Sequence, residues 1–138
     1  MKNILFIAPR FHTNQYYMIR HLLKKNKVSF IALYKGGIED YTFVKPQILA
    51  QSNFSKKLQS FFNFRFDTLY FPKIFDFYKK IKKIKPDLII LRIYSRPLLY
   101  IVSSLAKIFS CKIIYYDQTP LLRYNNLISY LKYCESII

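Results

Sequence analysis

The chain has 138 residues, a formal net charge of +16 and a hydrophobic fraction of 52%. This length is typical of one domain, and the apolar content is sufficient for a packed core, which excludes a wholly disordered protein. The two glycines, Gly36 and Gly37, are too few for the glycine-rich loops that cradle phosphates in many nucleotide-binding proteins.

The amino-terminal part has the pattern of a strand–helix–strand unit. The continuous apolar run Asn3–Ala8 predicts a strand covered on both faces, and Pro9 ends it. Asn14 is predicted to cap a helix from residue 15 to about residue 25, with apolar residues on one side. Residues 28–34, VSFIALY, predict the second strand, so the unit has a right-handed crossover.

The middle of the chain is less regular. Residues 35–57 carry turn signals without a sustained period, and no element is predicted there. Residues 65–71, RFDTLYF, predict a third strand, and Pro72 opens a helix whose apolar residues recur at three- and four-residue spacing up to Ile84. The other side of this helix is basic, with Lys79, Lys80, Lys82, Lys83 and Lys85.

The last part again alternates strands and helices. Residues 87–93, DLIILRI, predict a strand; residues 98–109 predict a helix with Pro97 in its first turn; CKIIYY, residues 111–116, predicts a fifth strand. A final helix is predicted over residues 125–131. The whole pattern predicts an α/β fold, a Rossmann-like doubly wound parallel sheet with strand order 3-2-1-4-5.

Polar side chains follow three of these strands. In such sheets ligands bind beyond the carboxyl ends of the strands, near the point where strand order reverses. The segments PRFHTNQ, RIYSRP and YDQTP lie at those ends and are expected to converge. The candidate site residues are Arg10, His12, Asn14, Arg92, Ser95, Arg96, Asp117 and Gln118.

Each candidate has an alternative role. His12 could act as a base or orient a hydroxyl group near neutral pH, or it could only bind a backbone carbonyl. Asn14 could contact a ligand at a helix amino terminus or only cap the helix. Arg92 and Arg96 could bind phosphate or carboxylate, or could pair with Asp117, which could itself orient a ligand or cap a helix.

Two segments of the chain resemble the amino-terminal domain of GT-B glycosyltransferases of the family 4-like group. They are ILFIAPRFHTNQYYMIRHLLKKNKVSFIAL, residues 4–33, and KPDLIILRIYSRPLLYIVSSLAKIFSCKIIYYDQTP, residues 85–120. The resemblance lies in the order and spacing of a strand, a polar turn, a helix and a strand. The second segment continues the resemblance with KPD followed by an apolar strand and a helix. It ends in a strand followed by an aromatic–Asp–Gln–Pro-like loop.

The resemblance implies a two-domain enzyme in which residues 1–138 form the acceptor-side Rossmann-like domain. The donor-binding domain is not among these residues, so the chain alone is expected to transfer little or no sugar. The implied reaction is a retaining hexosyl transfer in bacterial surface polysaccharide or lipopolysaccharide synthesis. Its donor substrate is a nucleotide-sugar, its acceptor is a sugar or a lipid-linked sugar, and no cofactor is expected.

The chain also departs from the family pattern. PRFHTNQ replaces the glycine-rich first loop of many members, and LRIYS lacks the histidine that many carry after the fourth strand. The resemblance therefore implies that an acceptor-side base would be His12 or Asp117. The expected substrate-binding residues are Arg10, Asn14, Arg92, Ser95, Arg96 and Gln118.

Charge and cysteine content limit the partners and the compartment. Cys111 and Cys134 lack metal-ligand spacing, so no metal site is predicted, and with no signal peptide they indicate a cytoplasmic protein. The lysine-rich helix could contact an anionic membrane from the inner face of the plasma membrane. A base-composition bias could also explain the lysines. Nucleic acid is not the expected partner, because no RRM, KH or helix-turn-helix signature is present. A basic nucleic-acid-binding module is an alternative function, as is a non-catalytic remnant or partner subunit.

Overall fold

The computed structural model describes residues 1–11, 13–34, 42–62, 70–92 and 95–116. Within these ranges the chain forms five strands and four helices. The strands are β1 (Asn3–Ala8), β2 (Lys27–Ala32), β3 (Gln47–Ile48), β4 (Leu88–Arg92) and β5 (Lys112–Tyr116). The helices are α1 (Thr13–Leu23), α2 (Asn53–Phe62), α3 (Ile74–Ile84) and α4 (Arg96–Ile108).

The five strands form one parallel sheet in the order β3-β2-β1-β4-β5. β1 lies at the centre, and it pairs with β2 from Asn3 opposite Lys27 to Ala8 opposite Ala32. On its other side, β1 pairs with β4 along four residues that end at Ile7 opposite Leu91. The predicted fold class is therefore confirmed, and the strands predicted first, second, fourth and fifth lie in the predicted order 2-1-4-5.

Helices cover both faces of the sheet. Alternate residues of β1 point to opposite faces, as in any strand. Leu5 belongs to a core that includes Phe77 of α3 and Val102 of α4, whereas Phe6 belongs to a second core that includes Ile19 of α1. These residues are at most 1% exposed. The sheet is thus doubly wound, with α1 on one face and α3 and α4 on the other.

Three sequence predictions differ from the structure. A third strand, β3, lies within residues 35–57, where no element is predicted. The strand predicted over residues 65–71 lies outside the described residues except for Tyr70 and Phe71, which belong to no strand. α2 begins at residue 53, inside the region without a predicted element. α1 begins at Thr13, so Asn14 lies in its first turn and not at the predicted N-cap position. β3 has only two residues, both exposed, and so leaves no alternating apolar pattern in the sequence.

Two further predictions concern the remaining chain. The helix expected over residues 125–131 lies outside the described residues. Residues 88–109 are the longest apolar region of the sequence, but Arg92, Arg96 and Pro97 interrupt it, which predicts a strand and a helix rather than a membrane span. The structure has β4 and α4 in this region. In the part of the chain that the structure describes, the longest apolar helix falls short of the length and hydropathy needed to cross a bilayer.

Candidate functional site

The strand order reverses between β1 and β4. These two strands are parallel neighbours, and the helices that follow them, α1 and α4, pack on opposite faces of the sheet. The chain therefore leaves the two strands in opposite directions, and a crevice is expected at their carboxyl ends. This is the position at which open α/β sheets bind ligands.

Arg10 lies at the exit of β1, between two anchored residues. Pro9 is buried, and its carbonyl oxygen accepts hydrogen bonds from the backbone N–H groups of Leu33 at 2.9 Å and Tyr34 at 3.1 Å. Phe11 is 1% exposed and belongs to the core on the α1 face. Arg10 itself is exposed, so a solvent-facing guanidinium is held at this edge by a fixed backbone.

Arg92 and Arg96 flank the exit of β4. Arg92 is the last residue of the strand, half-buried, and lies opposite Tyr116, the last residue of β5. Arg96 is the first residue of α4 and is exposed. Guanidinium groups bind phosphate and carboxylate through two parallel hydrogen bonds, so this exit is suited to an anion.

Ser95 lies between these arginines and is only 2% exposed. It occupies the N-cap position of α4 with an extended backbone, φ −132° and ψ 127°, but its side chain makes no capping hydrogen bond. Among the described residues its Oγ has no hydrogen-bond partner. Buried hydroxyl groups are nearly always paired, so this one is available to a ligand that enters the crevice.

Gln15 is a site residue that the sequence analysis did not select. It is 0% exposed and lies one helical turn before Ile19, on the side of α1 that faces the sheet. The side-chain amide of Gln15, in the first turn of α1, is therefore buried next to the expected crevice. Its spacing from Ile19 is the signal in the sequence that could have identified it.

The described part of the crevice is cationic. Arg10, Arg92 and Arg96 lie at the carboxyl ends of the strands, where the described residues include no acidic side chain. Asp87 is at the opposite edge, and its carboxylate accepts the backbone N–H of Asn3 at 2.7 Å. The positive charge of these described residues favours a ligand that carries phosphate or carboxylate.

The structure brings Arg10, Arg92, Ser95 and Arg96 to one edge of the sheet, as predicted from the topology. His12, Asp117 and Gln118 lie outside the described residues, and the side chain of Asn14 is not described. The roles predicted for these four side chains therefore stay predictions.

Metal and thiol chemistry receive no support from the described residues. They contain no group of three or more His, Cys, Asp or Glu side chains that could hold a metal ion. Cys111 is half-buried, and its thiol lies 3.6 Å from the carbonyl oxygen of Ala106. Burial raises the pKa of Cys111, which disfavours the nucleophilic thiolate.

Comparison with known proteins adds no relative. The sequence matches no family model and no curated protein, and the fold matches no solved structure.

Proposed function

We propose that this chain is the acceptor-binding domain of a glycosyltransferase and that it binds a phosphate-bearing sugar substrate in the crevice between β1 and β4. One observation carries the proposal. The buried Ser95 hydroxyl, which has no partner among the described residues, lies between Arg92 and Arg96 at the point where strand order reverses. Sugar phosphates need both cationic groups and hydroxyl partners, and this edge of the sheet supplies both.

The expected roles follow from the chemistry of each side chain. Arg92 and Arg96 neutralise phosphate oxygens, with Arg92 the stronger partner because it is half-buried and less screened by solvent. The Ser95 hydroxyl donates to a phosphate or sugar oxygen, or accepts from a sugar hydroxyl. Arg10 adds charge from the neighbouring strand exit.

The transfer reaction itself is supported by the family resemblance. The resemblance implies a nucleotide-sugar as the donor and a sugar or lipid-linked sugar as the acceptor. His12 and Asp117 then become the candidates for orienting or deprotonating the acceptor hydroxyl, and Asn14 and Gln118 become further substrate-binding residues.

Ligand titration by NMR or calorimetry tests the site. We expect glucose 1-phosphate to bind and glucose alone to bind much more weakly, because the arginines act on phosphate. Arg92→Gln should weaken the binding of glucose 1-phosphate about 10- to 100-fold, as expected for the loss of one charge-assisted contact. Ser95→Ala should weaken it about 3- to 10-fold.

Lys112→Gln is the matched control, since it removes one exposed positive charge at the amino-terminal end of β5. This variant should bind like the unaltered chain. Equal affinities of Arg92→Gln and Lys112→Gln, or equal binding of glucose and glucose 1-phosphate, would show that the crevice is not a phosphate site.

A further inference from the structure

α3 exposes a large apolar side chain to solvent among lysines. Phe77 and Ile81 are 0% exposed and attach the helix to the core. On the opposite side, Phe75 is 83% exposed, and Lys79 and Lys82 follow it at spacings of four and three residues. These spacings place the three side chains along one line of the helix surface. Asp76 is the single acidic residue of α3.

α2 repeats this pattern. Phe54 is 63% exposed and Phe61 is 81% exposed, and Lys57 lies between them at spacings of three and four residues. The single fully buried residue of the helix is Ser55. The apolar side of α2 therefore faces solvent, contrary to the usual arrangement of a surface helix.

The segments that lead into the two helices are paired with each other. Gln51 and Pro72 form an antiparallel bridge, and the Ser52 N–H donates to the Phe71 carbonyl at 2.9 Å. The Ser55 hydroxyl, inside α2, accepts the Phe71 N–H at 3.1 Å. The two helices are thus parts of one surface region with fixed starting points.

We propose that α2 and α3 form a docking surface for an anionic lipid bilayer, with Phe61 and Phe75 inserted among the lipid headgroups. Charge complementarity selects this partner. The exposed sides of α2 and α3 both combine phenylalanine with lysine. Helices with this combination lie in the interface of anionic membranes. An exposed tyrosine or tryptophan could form a hydrogen bond with water, but phenylalanine has no polar atom and is stabilised only by burial in an apolar environment.

Tryptophan fluorescence can locate the insertion, because the chain contains no tryptophan. We expect Phe61→Trp and Phe75→Trp to show blue-shifted emission with phosphatidylglycerol-rich vesicles and quenching by brominated lipid tails. Tyr100→Trp is the matched control on α4, where Tyr100 is 69% exposed. Its emission should stay unchanged. Absence of a blue shift at position 61 or position 75 contradicts the proposal.

Vesicle co-sedimentation of the full chain gives the second test. Binding should occur with phosphatidylglycerol-rich vesicles and fall sharply with neutral phosphatidylcholine vesicles. Phe75→Ser should lower the partition constant about tenfold through lost apolar burial. Lys79→Gln with Lys82→Gln should lower it more than Lys24→Gln with Lys25→Gln, which removes the same charge near the end of α1. Circular dichroism confirms that each variant is folded.

Two results would overturn the inference. One is that Phe75→Ser binds anionic vesicles as well as the unaltered chain does, which would leave only diffuse attraction between the positive charge and the membrane. The other is that single-stranded oligonucleotides bind while vesicles do not, which would assign the exposed phenylalanines to base stacking.

Discussion

Tyr70 is fully buried, and its hydroxyl group donates a hydrogen bond to the carbonyl oxygen of Leu49. This contact joins the segment that leads into α3 to the residue after β3. We expect Tyr70→Phe to lower the free energy of unfolding by about 1–3 kcal/mol, because the Leu49 carbonyl loses a partner in a dry environment. Urea denaturation measures the loss. Tyr100→Phe, at a residue 69% exposed, should change stability little.

The same residue predicts a pH dependence. Burial raises the pKa of Tyr70 to about 12 in the folded chain, against about 10 for an unfolded tyrosine. Above pH of about 10 the unfolded chain releases this proton while the folded chain keeps it, so this contribution to stability is lost as pH rises through about 12. Tyr70→Phe lacks the contribution, and its unfolding free energy should fall less steeply over this range. Parallel curves for the two proteins would contradict the assignment.

At the scale of the elements, α4 ends in a turn that glycine would suit better. Ser110 has a left-handed backbone, with φ 51°. Its N–H donates to the carbonyl of Lys107 at 3.1 Å, and the N–H of Cys111 donates to Ala106 at 3.0 Å. These two bonds form a Schellman motif, in which glycine is the usual residue at this position.

Ser110→Gly is therefore expected to raise the free energy of unfolding by about 0.5–1 kcal/mol, since the relief of left-handed strain exceeds the extra backbone entropy of glycine. Thermal unfolding measures the gain as a higher midpoint. Ser104→Gly, at an exposed position inside the same helix, should lower stability by about 0.5–1 kcal/mol. Loss of stability in both variants would show that Ser110 is not strained.

The elements also show which predictions the sequence permits. β1, β2, β4 and β5 were predicted because their apolar runs are long enough to indicate parallel strands, and the edge strand β3 was not, because Gln47 and Ile48 are both exposed. α2 was missed although Phe54, Leu58 and Phe61 recur at helical spacing in its sequence. The positions of Arg92 and Ser95 followed from topology, but the burial of Ser95 depends on how α4 packs, which no local pattern encodes.

At the scale of the whole molecule, the loss of stability caused by truncating an apolar side chain should decrease with distance from the central strand, β1. Leu5 of β1 is 0% exposed, and Leu5→Ala should lower the free energy of unfolding by about 2–5 kcal/mol through the cavity it creates. Ile48 of β3 is 43% exposed, so Ile48→Ala should cost about 0.5–1 kcal/mol. Urea titrations of both variants test this order. Similar losses would contradict a core centred on β1.

The two hydrogen bonds that the Pro9 carbonyl oxygen accepts, from Leu33 and Tyr34, affect the entropy of ligand binding. Because they tie the end of β1 to the residues after β2, the main chain beneath Arg10 is already ordered before any ligand arrives. Association then immobilises chiefly the arginine rotamers, at about 0.5–1.5 kcal/mol for each side chain. Calorimetry should accordingly record a modest entropic penalty, and the backbone amide resonances of Leu33 and Tyr34 should keep their free-state relaxation when a sugar phosphate is bound.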